Sequence, residues 1–320
     1  ILLSGTTSVT AFASLAIYDA QTLSLTADIA GSFTLEVLKG TLMAMDERLM
    51  AVRPRPDQIN TAANIRAILK DSPMLERCRG HRVQDALSIR CMPQLHGPVK
   101  KAIKDAQATL AIELNSSVDN PLIFDEEDGG AVALMGCNAD GTYAGMASDN
   151  LCIAITDLCK MSNSRIDRLL NSLVSELPAF LNKNADFNNG LMMIQYASAG
   201  LQGELRILAH PAVVDNLTTC ANQEDYVNMG YNAAKKAYDS MHLAKYILAA
   251  ELICDGQALD CYEDKRCAKG TQAIYDLLRS KVPEMDNDMP LTTYLEAGAQ
   301  QIIDRAYIRT VEARVGALKF

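Results

Sequence analysis

Apolar residues along this chain recur at three- and four-residue steps, the spacing of one face of an α-helix. Over 101–114 they fall at Ile103, Ala106, Leu110 and Leu114, and the run stops at Asn115-Ser116-Ser117 and Asn120-Pro121. Proline disfavours helical geometry in the residue before it, so a helix ends there. The pattern returns over 146–173 through Leu151, Ile155, Leu158, Ile166, Leu169 and Leu173. Segments 191–209 and 227–253 read as long helices with small or apolar residues on several faces, which suits the middle of a bundle. Shorter helices are predicted over 271–281 and 291–315, and another near Ile59 after the turn Arg53-Pro54-Arg55-Pro56. Asp125-Glu126-Glu127-Asp128-Gly129-Gly130 reads as an acidic, solvated loop joining two elements. With no long linker and no repeat, the expectation is one helical domain over 1–320: a bundle over 1–280, then a helical tail over 281–320.

Composition supports helices. The chain has no Trp and 5% aromatic residues, and it is rich in Ala, Leu and Met, whose unbranched side chains lose little freedom in a helix. Its 49% hydrophobic content is ample for a core, yet no stretch reaches the roughly 20 apolar residues of a membrane span. A net charge of −9 argues against nucleic acid, whose phosphates need a basic face. Nine cysteines without a Cys-x-x-Cys pair fit a reducing compartment, here the cytoplasm. Cys152 and Cys159, seven apart, share a helix face and read as core. Cys254, Cys261 and Cys267 lack an organised His, and His81, His96, His210 and His242 are scattered, so no metal is expected.

Two segments place polar groups where a purely structural core would carry Leu or Val. One is Val83-Gln84-Asp85-Ala86-Leu87-Ser88-Ile89-Arg90-Cys91, and the other Cys220-Ala221-Asn222-Gln223-Glu224-Asp225-Tyr226-Val227-Asn228-Met229-Gly230. Asn222 with Asp225 three residues on has the spacing of a capping box, which would start a helix and put Glu224 in its first turn. The macrodipole there would favour an ionised Glu224, although an ordinary capped helix explains the same residues. Arg90, between Ile89 and Cys91, needs an anion. That anion is either a ligand carboxylate or an internal acid such as Asp85.

Taken with Ser117-Val118-Asp119-Asn120-Pro121-Leu122-Ile123-Phe124 and Leu3-Ser4-Gly5-Thr6, these segments resemble the histidine and phenylalanine ammonia-lyase family, most closely its histidine branch. The resemblance implies an all-α, long-helix bundle of the ammonia-lyase (fumarase/aspartase-like) type, assembled as a homotetramer. It implies elimination of ammonia from histidine or a related amino acid through an electrophilic 4-methylidene-imidazol-5-one (MIO) group. In the family that group forms from an Ala-Ser-Gly triplet upstream of the counterpart of Leu3-Ser4-Gly5-Thr6, in a segment that also carries a loop tyrosine acting as base. The chain is therefore expected to be the C-terminal part of a lyase. By the same resemblance Arg90 binds the substrate carboxylate, Glu224 contacts its amine or side chain, and Gln84, Asn138, Asn222 and Gln223 orient substrate and prosthetic group.

The chain departs from the family pattern at four positions. In Gly136-Cys137-Asn138-Ala139-Asp140-Gly141, Ala139 stands where an aromatic residue is expected and Asp140 where His or Gln is, which implies a smaller, more acidic pocket. Leu87 occupies the place of a tyrosine that assists amine elimination. Ser4 occupies that of an asparagine that supports the prosthetic group and binds substrate, a catalytic position like that of Glu224. An aminomutase, or an inactive homologue kept as an assembly scaffold, are the alternatives. Gly-x-Gly-x-x-Gly, Walker A, His-Glu-x-x-His and Gly-x-Ser-x-Gly patterns are missing, so other chemistries have no foothold.

Overall fold

The computed structural model describes residues 4–184 and 187–320, so Leu3 of the first motif lies outside the described residues. In chain order the main elements are α1 (Thr7–Val37), α2 (Glu47–Ala51), α3 (Pro56–Ile68), α4 (Pro73–Arg77), α5 (Leu87–Arg90) and α6 (Met92–Glu113). A hairpin of β1 (Leu122–Asp125) and β2 (Ala131–Leu134) follows, then α7 (Thr142–Leu170), α8 (Ser172–Ser175), α9 (Met192–Leu208) and α10 (Gly230–Asp260). The chain closes with α11 (Lys269–Arg279), α12 (Thr292–Ile303) and α13 (Ala306–Val315). The all-α expectation holds, with one antiparallel hairpin among the described residues.

Helices α1, α7 and α10 form the centre, with α6, α9 and α12 packed around them. From Leu23 to Val37, and again from Ile247 to Asp260, every residue is buried, as befits helices surrounded on all sides. The predicted helices over 101–114, 146–173, 191–209 and 271–281 correspond to α6, α7, α9 and α11. Three expectations need correction. The periodicity predicts no helix over 7–37, where α1 lies. The tail helix over 291–315 is two helices, broken where Arg305 adopts φ 54°. The helix placed at 227–253 starts at Gly230, eight residues beyond Asn222. The acidic stretch at 125–130 does join two elements, the strands of the hairpin.

Two clusters of paired charged groups lie inside the bundle. Arg165 on α7 and Glu251 on α10, both fully buried, form a two-pronged ion pair, and Ser162 also donates to Glu251. Thr34 on α1 has a hydroxyl 2.9 Å from Glu251 Oε1 and 2.7 Å from Asp255 Oδ1. One hydroxyl proton cannot serve both oxygens. Burial, then the Glu251 charge, push the Asp255 carboxyl well above the usual carboxylate range, so Asp255 is the protonated partner and donates to Thr34. A second cluster surrounds the buried Asp28, which accepts from Lys100 Nζ (2.6 Å), His96 Nδ1 (2.8 Å) and Asn64 Nδ2 (2.8 Å). Burial would raise the Asp28 carboxyl, but Lys100 and His96 outweigh it and keep it ionised; burial lowers His96, which stays neutral and donates through Nδ1.

Asp255 has a measurable consequence. A carboxyl protonated when folded and ionised when unfolded costs stability as pH rises above its unfolded value, by about 1.4 kcal/mol per pH unit for one proton. Asp255→Asn keeps the shape and the donor and removes the proton. Its melting temperature relative to the unsubstituted protein is expected to climb between about pH 4 and about pH 7. A difference that stays flat over that range would mean Asp255 is ionised in the fold.

Candidate active site

The two polar segments lie at different ends of the bundle. The segment 78–90 runs from α4 into the one-turn helix α5, whose Ile89 is buried while Leu87 is 61% exposed. Arg90, half-buried, donates from Nη1 to Gln84 Oε1 at 2.6 Å, and its Nε is buried without a partner. Asp85 is not its counter-ion: Asp85 Oδ2 accepts from Thr41 N at 2.8 Å, and among the described residues Arg90 forms no ion pair. This segment is tied to α7 through Arg165, whose Nη1 donates to Ser88 O at 3.3 Å.

The opposite end gathers the remaining candidates where α1, α7 and α10 all begin. Gly5, at φ +70°, leaves room for Val118: a Cβ there would lie 1.7 Å from Val118 O, so the first motif and Ser117-Val118-Asp119-Asn120 meet only through a glycine. Gly230 does the same between α10 and α7, since its Cβ would lie 2.8 Å from Gly141 O. Ser4 and Asn138 are exposed, and Asn138 Nδ2 donates to Ser117 O at 3.3 Å. Asp140 accepts from Thr142 N at 2.8 Å, which caps the start of α7 beside the half-buried Ala139. Tyr226 OH lies 3.0 Å from Thr142 Oγ1, which brings the loop of Glu224 to the same place.

Within that loop the capping reading fails. Cys220, Ala221 and Asn222 have φ of 49°, 52° and 71°, three successive left-handed residues in a tight turn, and Asn222 caps no helix. A bridge between Thr219 and Glu224 closes the turn, with Thr219 N donating to Glu224 O at 2.8 Å. Asn222, Gln223 and Glu224 all stand exposed. Glu224 is held below the usual carboxylate range by hydrogen bonds from Thr219, then Cys220, and not by a helix dipole. Such a run of non-glycine residues in the left-handed region is costly and is found where a loop presents side chains for use.

Thr142 and Arg165 mark the two ends on α7, and at ~1.5 Å per residue the helix rises roughly 35 Å between them. Gln84, Leu87 and Arg90 therefore form one group; Ser4, Asn138, Ala139, Asp140, Asn222, Gln223 and Glu224 form another. With that separation the two groups do not converge on one small-molecule site within a single chain. Sequence reasoning missed Tyr226 and Thr219, which shape the Glu224 loop; Tyr226 was visible within the second motif but carried no pattern of its own. Among the described residues no cluster of three or more His, Cys, Asp or Glu could hold a metal, and no helix is long and apolar enough to cross a membrane.

Comparison with known proteins bears on these groups. Residues 1–280 match the family described as aromatic amino acid lyase. The chain is 40% identical over 319 residues to histidine ammonia-lyase 2 of Fusobacterium nucleatum, covering 99% of this chain and 62% of that protein. Its fold superposes on histidine ammonia-lyase from Trypanosoma cruzi with a TM-score of 0.89 at 33% identity, over 98% of this chain and 59% of that one. It superposes on tyrosine aminomutase from Streptomyces globisporus with a TM-score of 0.92 at 27% identity, over 99% and 64%. The chain thus spans about three-fifths of the length of the relatives it matches. With the match running through both polar segments and through the central helices that carry them, the chain belongs to the aromatic amino acid lyase family.

Proposed function

We propose that this chain forms the substrate-binding part of a histidine ammonia-lyase-type enzyme, a carbon–nitrogen lyase acting on histidine or a related aromatic amino acid. Arg90 carries the reading. It is a half-buried guanidinium, braced by Gln84, without a carboxylate partner among the described residues. Its planar fork matches the carboxylate of an amino acid. Glu224, held in its ionised form, suits an ammonium or imidazole, and the exposed Asn222 and Gln223 flank it. The family's MIO group supplies an electrophile when bound. Asn138 fits such a group: it spends one amide hydrogen on Ser117 and keeps its oxygen and second hydrogen open to an imidazolone ring, with the Ser4 hydroxyl at the same end of the bundle.

An amino acid's carboxylate and amine lie a few ångströms apart, whereas the segments of Arg90 and Glu224 touch α7, through Ser88 and Tyr226, at points roughly 35 Å apart by helical rise. One substrate touches both only if a second copy brings the other end of its bundle alongside. We take the assembly to be a homotetramer of closed symmetry. Tyr143 and Met146 on α7 and Tyr196 and Ile207 on α9, all exposed in the single chain, offer apolar surface for it. The nine free thiols suit a cytoplasmic setting.

The test uses the complete protein to which this chain belongs. Arg90→Met is expected to raise KM for histidine about 100-fold with a smaller change in kcat, since the carboxylate contact is made in ground and transition state alike. Unchanged KM would remove Arg90 from the site. The likeness to tyrosine aminomutase keeps a second reading alive, and formation of a β-amino acid in place of an unsaturated acid would favour it.

A further inference from the structure

In the second half of the stretch between α4 and α5 the chain is fastened by side chains. Among the described residues, no backbone N–H from Arg82 to Ala86 donates to a backbone carbonyl. Asp85 anchors one point through Thr41 N. The other anchor is Glu176, just after α8. Glu176 Oε1 accepts from His81 Nε2 at 2.9 Å and from Arg82 Nη2 at 3.2 Å, and Oε2 accepts from Lys39 Nζ at 3.0 Å. Arg82 reaches further, from Nε to Leu38 O at 3.4 Å and from Nη2 to Val174 O at 3.5 Å. The bonds from Lys39 and then His81 hold the Glu176 carboxyl down to about 2, so it stays charged across the physiological range.

The backbone at Glu176 makes this placement costly. Its φ is 61°, a left-handed conformation that glycine adopts freely and glutamate does not. A glutamate there ties three separate pieces of chain together: the end of α1, the stretch after α8 and the segment holding Gln84. Gln84 lies two residues beyond Arg82, and its side chain braces Arg90.

We propose that Glu176 is a positioning residue for the amino-acid site: by gathering Lys39, His81 and Arg82 it fixes the segment that presents Gln84 and Arg90. The activity side of this proposal rests on the lyase reading above; the structural side does not. The exposed pair of Lys235 with Asp239, by contrast, only joins neighbouring turns of one helix.

Two variants of the complete protein test it. Glu176→Gln keeps size and loses charge; Glu176→Gly loses the carboxylate and relieves the left-handed backbone. Hydrogen exchange is followed at Ile89, Arg90 and Cys91, whose amides donate to the Ala86 and Leu87 carbonyls. Exchange there is expected to speed up about tenfold in both variants, and KM to rise about tenfold with kcat within about twofold. Glu176→Gly is expected to melt at or above the unsubstituted protein, whereas a purely stabilising role would make it melt lower. Unchanged exchange at 89–91 overturns the proposal, and so does faster exchange with unchanged KM. Should the unsubstituted protein turn over no aromatic amino acid, the lyase reading falls, and the exchange rates alone then decide whether Glu176 holds the segment.

Discussion

Arg165→Met is expected to destabilise the fold by about 3–5 kcal/mol, the cost of leaving a buried charge without its partner. Glu251 would keep Ser162 and Thr34 but lose both prongs of the guanidinium, in a place with no access to water. The same arginine holds Ser88 O, so its loss should also loosen α5. Replacing both partners by apolar residues is a different perturbation, because the desolvation cost disappears together with the attraction. Arg165→Met with Glu251→Leu should therefore recover most of the loss. Denaturant unfolding followed by circular dichroism measures both. A loss below about 1 kcal/mol for the single variant would mean that water reaches the pair, contrary to its burial.

Leu87→Tyr is expected to raise turnover on histidine by about 10²- to 10⁴-fold in the complete protein, the range that general acid-base assistance usually supplies. Leucine has neither a proton nor a hydrogen bond to give. Leu87 sits three residues before Arg90 and three after Gln84, and its 61% exposure in the single chain leaves space for a phenol. Assays on histidine, phenylalanine and tyrosine should compare the two proteins side by side. If the unsubstituted protein deaminates histidine as fast as the variant, position 87 plays no part in proton transfer.

Helical periodicity made α6, α7, α9 and α11 legible, because each lays an apolar stripe on the core at regular spacing. Helix α1 escaped notice since it is apolar or small on nearly every face, and a stripe that goes all round has no phase to read. The strands at 122–125 and 131–134 are four residues each and mostly exposed, too short for alternation to register. Asn222 and Asp225 carried a true capping pattern in the wrong setting. The Thr219–Glu224 bridge closes the loop on itself and leaves the helix to begin at Gly230. Arg90 could be singled out because an arginine flanked by Ile89 and Cys91 demands an explanation. Arg165 could not, since its partner lies 86 positions away and only the fold brings α7 against α10.

The distance between the Arg90 end and the Glu224 end of the bundle has a genetic reading. In an assembly where each site borrows its two ends from different copies, a chain damaged at Arg90 spoils a site whose Glu224 belongs to an intact neighbour, and a chain damaged at Glu224 does the reverse. A mixed population carrying one kind of damage would then lose function only in proportion to its faulty chains. Two differently damaged chains, each useless by itself, would still build some whole sites between them.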